Sequence, residues 1–174
     1  MITPNKQNPM KEITISKITL NVGAGKNEEL LKKGLKLLKK LSDEINPIET
    51  ITNKRIPTWN LRPGLKIGCK VTIRRNTEQL LKKLLVAKER VLAVKNFDNN
   101  GNLSFGIPEY IDVEGLEYDP ELKIIGFEVA VTLERPGFSI KNRRIRPAKI
   151  GKSHKITKDE AINFVTNKFG VQVQ

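Results

Sequence analysis

The residues best equipped for chemistry lie between Pro47 and Arg75. The run Lys54-Arg55-Ile56-Pro57-Thr58-Trp59-Asn60-Leu61-Arg62-Pro63-Gly64 gathers three cations, a hydroxyl, two Pro and the only Trp of the chain, with no acid. Cations take phosphate oxygens, hydroxyls and amides bond sugars and base edges, and a planar ring offers a stacking surface. Immediately afterwards Leu65, Ile67, Cys69, Val71 and Ile73 alternate with Lys66, Gly68, Lys70, Thr72 and Arg74. A period of two marks a half-buried strand, with one side in a core and the other showing cations and hydroxyls. An ordinary solvated sheet face, with the loop Trp folded back on the core, would give the same pattern.

A second concentration of charge runs from Ser139 to Lys158. It holds Lys141, Arg143, Arg144, Arg146, Lys149, Lys152, Lys155 and Lys158 and no acid. Uncompensated cations repel one another, so the run is read as a flexible RNA-binding extension that orders on contact. Between Pro108 and Glu128 the sign inverts, with Glu109, Asp112, Glu114, Glu117, Asp119, Glu121 and Glu128 against Lys123 alone. A polyanion would repel this island, which should therefore face elsewhere, as a solvated loop or as a docking surface for a basic protein.

Catalysis finds no support. The only His, His154, sits inside the basic run without a partner that spacing identifies. Ser16, Ser42, Ser104, Ser139 and Ser153 stand in no nucleophile-elbow setting. Gly23-Ala24-Gly25 lacks the spacing of a phosphate loop and reads as a turn. A single Cys, Cys69, leaves no disulfide and no multi-cysteine zinc site, so neither metal nor cofactor is expected. An RNA-modifying enzyme would need a cofactor loop or an acid–base pair, and neither is visible. With 174 residues the chain fits one domain, and its net charge of +13 points to a polyanionic partner. No apolar run approaches membrane-spanning length, and the N-terminus has no secretory core.

The elements that must position these residues follow from periodicity. A polar N-terminal arm precedes a strand from Glu12, whose phase slips at Ser16-Lys17, so that Ile18, Leu20 and Val22 face inward and Lys17, Thr19 and Asn21 outward. A helix over Asn27–Glu44, capped by Asn27, buries Leu31, Leu35, Leu38 and Ile45. A strand spans Pro47–Asn53, and a second helix begins with Thr77 as cap and buries Leu80, Leu81, Leu84, Leu85 and Val91. The lysines of both helices read as solvated surface. Phe97-Asp98-Asn99-Asn100-Gly101 signals a turn ahead of a strand over Asn102–Ile107. Ile125, Phe127, Val129, Val131 and Leu133 mark another, and a third helix starts near Thr157.

Three blocks carry a resemblance: KITLNVGAGK at Lys17–Lys26, IPTWNLRPGLKIGCKVTIR at Ile56–Arg74, and NFDNNGNLSFGIPEYIDVEGLEYDPE at Asn96–Glu121. In order and spacing they resemble the ribosomal large-subunit protein five family, equivalent to eukaryotic protein eleven. The tail RPGFSIKNRRIRPAKIGKSHKITKDEAINFV is similar to the archaeal and eukaryotic branch. Where the family usually has Gly-Gln before the Pro matching Pro47, this chain has Ile45-Asn46. The resemblance implies an α+β fold: an antiparallel sheet with helices on one face and a concave RNA-binding face. One domain over residues 1–174 would comprise a core (12–135), a basic extension (136–158) and a C-terminal helix (157–169).

The function implied is structural: binding 5S rRNA and attaching it to the central protuberance of the large subunit of cytoplasmic ribosomes. Matching positions give Asn21, Thr50, Thr52, Lys54, Arg55, Lys70 and Thr72 as 5S rRNA contacts. Arg55, Thr58, Trp59 and Arg62 form a loop toward peptidyl-site tRNA, in which Trp59 is expected to pack and shape the loop rather than stack on RNA. Lys141, Arg143, Arg144, Arg146, Lys149, Lys152 and Lys155 would meet large-subunit rRNA. Glu109, Asp112, Glu114, Glu117 and Asp119 would face small-subunit protein thirteen as an intersubunit bridge, and neighbouring proteins of the protuberance complete the partners. A free RNA-binding regulator off the ribosome is the competing reading.

Overall fold

The strand Thr14–Gly23 (β1) is the axis of the fold, because it is the middle strand of the five-stranded sheet. The computed structural model describes residues 8–43 and 45–174, so most of the expected N-terminal arm and the expected helix end at Glu44 lie outside the described residues. After β1 come α1 (Glu28–Leu41), β2 (Ile48–Ile51), β3 (Lys66–Ile73), α2 (Thr77–Ala87) and β4 (Val91–Leu92). They are followed by β5 (Leu103–Ile107), β6 (Phe127–Glu134), α3 (Ser139–Asn142), α4 (Lys158–Phe169) and β7 (Gln172–Val173). Five strands form one antiparallel sheet in the order β2-β3-β1-β6-β5. The expected phase slip is present as a register shift between Ile15 and Lys17 against β6.

Register fixes which side chains share a face. Ile18 lies opposite both Ile73 and Val131, and Leu20 opposite Val71 and Val129; all are buried. Leu31, Leu37, Leu38, Leu81, Leu84 and Leu85 join them in one core with Ala161, Val165 and Phe169 of α4. Helix α1 comes very close to the sheet. A Cβ on Gly34 would stand 3.0 Å from both Cys69 Sγ and Val22 Cγ1. The α+β class with helices on one face is therefore correct.

Three local expectations need correction. Thr77 is not the cap of α2; Asn76 holds that position at φ 52°, a region Asn tolerates, and Thr77 is a buried first helical residue. The same helix stops at Ala87, because Glu89 and Arg90 turn to φ 57° and the Arg90 N–H donates back to Leu85 O at 2.9 Å. Val91 thereby leaves the helical face and pairs, parallel, with Gln172 in a two-stranded sheet. Ile45 lies past the end of α1 and is exposed. Asn27 does cap α1, accepting from the Glu29 and Leu30 N–H groups.

Candidate nucleic-acid interface

The face of the sheet opposite the core sets amide, hydroxyl and charged side chains among small ones, in rows fixed by register. One row runs Ile48–Lys70–Asn21–Glu128–Gly106, and the next brings Thr72, Thr19, Ala130 and Ser104 into line. The second row carries only short side chains, which lets a partner's backbone approach closely there. Gly68 belongs to this platform for a steric reason: a Cβ there would fall 2.5 Å from Val22 O and 3.2 Å from Thr50 Oγ1. The sequence-predicted Asn21, Thr50, Lys70 and Thr72 all sit on this face. Ser104 and Thr132 were missed as members, although the alternation of Phe127–Leu133 on the neighbouring strand could have assigned Thr132. Glu128 is also here, contrary to the expectation that the acidic residues face elsewhere. Its carboxylate accepts from Asn21 Nδ2 at 3.1 Å, which places a donor over that charge and leaves Asn21 Oδ1 as an acceptor.

Thr52 does not reach this face. A register shift between Thr50 and Ile51 advances the phase of β2 by one residue. Ile51 therefore points outward, and Thr52 is turned inward at 7% exposure, its Oγ1 without a hydrogen-bond partner among the described residues. Its backbone instead closes the loop, with Thr52 N donating to Leu65 O and Thr52 O accepting from Gly64 N, each at 2.9 Å.

Beyond that closure Lys54, Arg55, Thr58 and Arg62 are exposed around a cavity of about 410 Å³ lined by Lys26, Arg55 and Arg62 among others. A short 3-10 turn, Pro57–Trp59, ends on Asn60 at φ 52°. Leu61 is buried and anchors the loop, a role expected of Trp59. Trp59 itself is 67% exposed, because Leu61 already fills the apolar anchor position.

The basic run is tied at both ends rather than trailing free. Arg135, with only 7% of its side chain exposed, donates to Lys11 O at 3.1 Å, Lys155 O at 3.1 Å and Glu160 Oε1 at 2.9 Å. Ile156 is buried at the far end, and Ala148 N donates to Ile140 O across the middle. His154 has a structural post: Nε2 lies 2.9 Å from Pro136 O, and its ring meets Phe138 edge-on at 5.6 Å. Lys141, Arg143, Arg144, Arg146, Lys149, Lys152 and Lys155 are all exposed on the resulting loop.

The acidic segment lies along the helical side, away from the platform. Asp119 accepts from Lys40 Nζ at 2.7 Å, and Glu121 pairs with Lys36. The Lys40 bond holds the Asp119 carboxyl below the usual range, aided by the Glu121 N–H and the charge of Lys36. Asp119 is thus engaged within the fold, while Asp112, Glu114 and Glu117 remain exposed and Glu109 half-buried. Tyr110, fully buried, fixes the segment by accepting from Asp119 N at 2.8 Å. Two lysines of α1 assigned to solvated surface are therefore ion-pair partners.

The family model for the C-terminus of the ribosomal protein L5 family matches residues 66–164. Among similar curated proteins is the large ribosomal subunit protein uL5 of Nanoarchaeum equitans, 44% identical over 96% of this chain and 99% of that protein. The protein of the same name from Sulfolobus acidocaldarius is 40% identical over 97% of this chain and 94% of its own length. That of Methanococcus maripaludis is 39% identical over the same shares.

Proposed function

The chain belongs to the ribosomal protein L5 family, a structural, non-enzymatic constituent of the large ribosomal subunit, and from that premise we propose that its open sheet face binds 5S rRNA. In this reading Asn21, Lys70 and Thr72, with Thr50 beside them and Lys54 and Arg55 at the rim, meet the RNA backbone and its 2′-hydroxyls. The observation that carries it is the register: Lys70, Asn21, Thr72 and Thr19 share one accessible face, while the opposite face is filled by helices. A row of amide, hydroxyl and ammonium groups suits the shallow minor groove of A-form RNA, where 2′-hydroxyls are displayed. The bound 5S rRNA would be attached in this way to the central protuberance, among its neighbouring proteins.

The remaining contacts follow the charge. The loop around Arg55, Thr58, Trp59 and Arg62 projects past the sheet and would touch peptidyl-site tRNA. The exposed Trp59 favours stacking on RNA over packing on the loop. The cations from Lys141 to Lys155 would hold large-subunit rRNA through phosphates. Asp112, Glu114 and Glu117 remain free to meet a basic small-subunit protein, number thirteen, across the subunit interface. A chemical-protection footprint of the purified protein on 5S rRNA tests the main assignment. Protection of one continuous helical segment is expected, and an unprotected 5S rRNA at saturating protein would end this reading.

A further inference from the structure

Beneath the basic loop lies a cavity of about 570 Å³, between the loop and the end of the sheet where β5 and β6 begin and end. Its lining is divided by chemistry. Phe138 and Ile150, both half-buried, with the exposed Pro147, form an apolar floor over the buried Leu133 and Ile156. Lys141, Lys149, Lys152 and Lys155 stand around it against one acid, Glu134. On the opposite wall are Asn100 and Asn102, whose Nδ2 groups donate to Asp98 at 3.3 Å and 3.1 Å. The turn that carries them is seated firmly: a Cβ on Gly101 would fall 2.5 Å from Ile156 Cγ2.

We propose that this cavity receives a single unstacked nucleotide from a single-stranded stretch of RNA, its base against the apolar floor and its flanking phosphates on the ring of lysines. The inference rests on the rRNA-binding reading of the basic loop and goes beyond it. Phosphates along a duplex would be satisfied by lysines on a convex or flat surface. An apolar concavity adds nothing to duplex binding, but it accepts the face of a base that has left its stack. The volume falls in the range of about 300–1,000 Å³ that small-ligand sites occupy. The charge is complementary to RNA and not to a basic protein, with four lysines around one carboxylate. The Asn amides, able to donate and accept, suit a base edge.

The test separates the base from the phosphates. Ala148→Trp fills the cavity from the loop side and Asn100→Trp from the turn side; both positions are exposed, so neither disturbs the core, and Ala148→Ser serves as the small control. Each is titrated with a single-stranded RNA pentamer and with a stable RNA hairpin that presents only duplex, alongside Lys149→Gln/Lys152→Gln. The expected result is at least a tenfold loss of pentamer affinity in both Trp variants, with duplex affinity unchanged and Ala148→Ser normal. The lysine variant should weaken both ligands. If the Trp variants bind the pentamer as the parent does while the lysine variant loses both, the nucleotide site is refuted and the phosphate-binding loop stands. If the lysine variant also binds both RNAs normally, the reading of the loop as an RNA contact falls with it.

Discussion

The guanidinium of Arg135 lies 2.9 Å from the carboxylate of Glu160, and this one pair joins the end of β6 to the start of α4 at the base of the basic loop. Glu160 simultaneously accepts from Thr157 N at 3.0 Å and closes a capping box with the Thr157 hydroxyl. The loop between these anchors therefore starts and ends at a fixed place, which lets repelling cations be held together.

Arg135→Met should lower the unfolding free energy by about 2–3 kcal/mol, because it removes the pair and leaves the carbonyls of Lys11 and Lys155 unpaired. Glu160→Gln should cost about 1 kcal/mol, since the Glu160 side chain is 43% exposed and its pair is partly screened. The Glu160 carboxyl is held below the usual glutamate range, first by the Thr157 N–H and also by Arg135. Its stabilising contribution is thus present above the unfolded-state pKa and lost as pH falls through the lower folded value. Urea unfolding across that acid range should show a steeper loss for the parent than for Glu160→Gln. Parallel pH curves would mean that this carboxylate is not what holds the loop.

Gly34→Val should destabilise by about 1–3 kcal/mol, because the added methyls must displace Cys69 or Val22 from a contact already at its limit. In the parent, burial and then the nearby charge of Glu49 push the Cys69 thiol up to about 11. Alkylation at neutral pH should accordingly be slow and follow global opening, and it should accelerate in Gly34→Val. Fast alkylation of the folded parent would contradict the placement of Cys69 on the covered face.

Changing Lys141, Arg143, Arg144, Arg146 and Lys149 to Gln should weaken binding to large-subunit rRNA without regard to sequence. If each of the five meets a phosphate, log K against log salt becomes shallower by about 3.5 to 4.5. Equal slopes for the two proteins would make these residues solvated surface only.

Arg62→Gln, in the loop but not among the 5S contacts, should leave 5S rRNA binding nearly intact while raising the rate at which tRNA leaves the peptidyl site. A loss of 5S binding with normal tRNA release would assign the loop to the other RNA.

Much of this arrangement was legible from alternation. The two-residue period of Leu65–Ile73 and of Phe127–Leu133, and the slip at Ser16-Lys17, were enough to separate the core from the platform. What escaped depended on tertiary partners. Thr52 has the composition of a surface strand residue, and only the pairing of β2 with β3 shows the register shift that turns it inward. Trp59 is exposed because Leu61, six positions after Arg55, fills the anchor position, a competition that composition does not rank. Asp119 and Glu121 read as free acids because their partners, Lys40 and Lys36, are some eighty residues earlier in the chain. The cavity under the basic loop likewise forms from three separated segments and has no local signature.

The central claim is that the open face of the sheet holds 5S rRNA, and a filter-binding titration of Asn21→Ala/Thr72→Ala tests it most directly. Both side chains stand on that face and neither fills the core, so the fold should persist, with the melting temperature only slightly lowered by loss of the exposed Asn21–Glu128 bond. Losing two or three hydrogen bonds at about 1 kcal/mol each predicts a rise in Kd of roughly thirtyfold or more. An unchanged Kd for 5S rRNA in the folded double variant would contradict the account and remove this face from the interface.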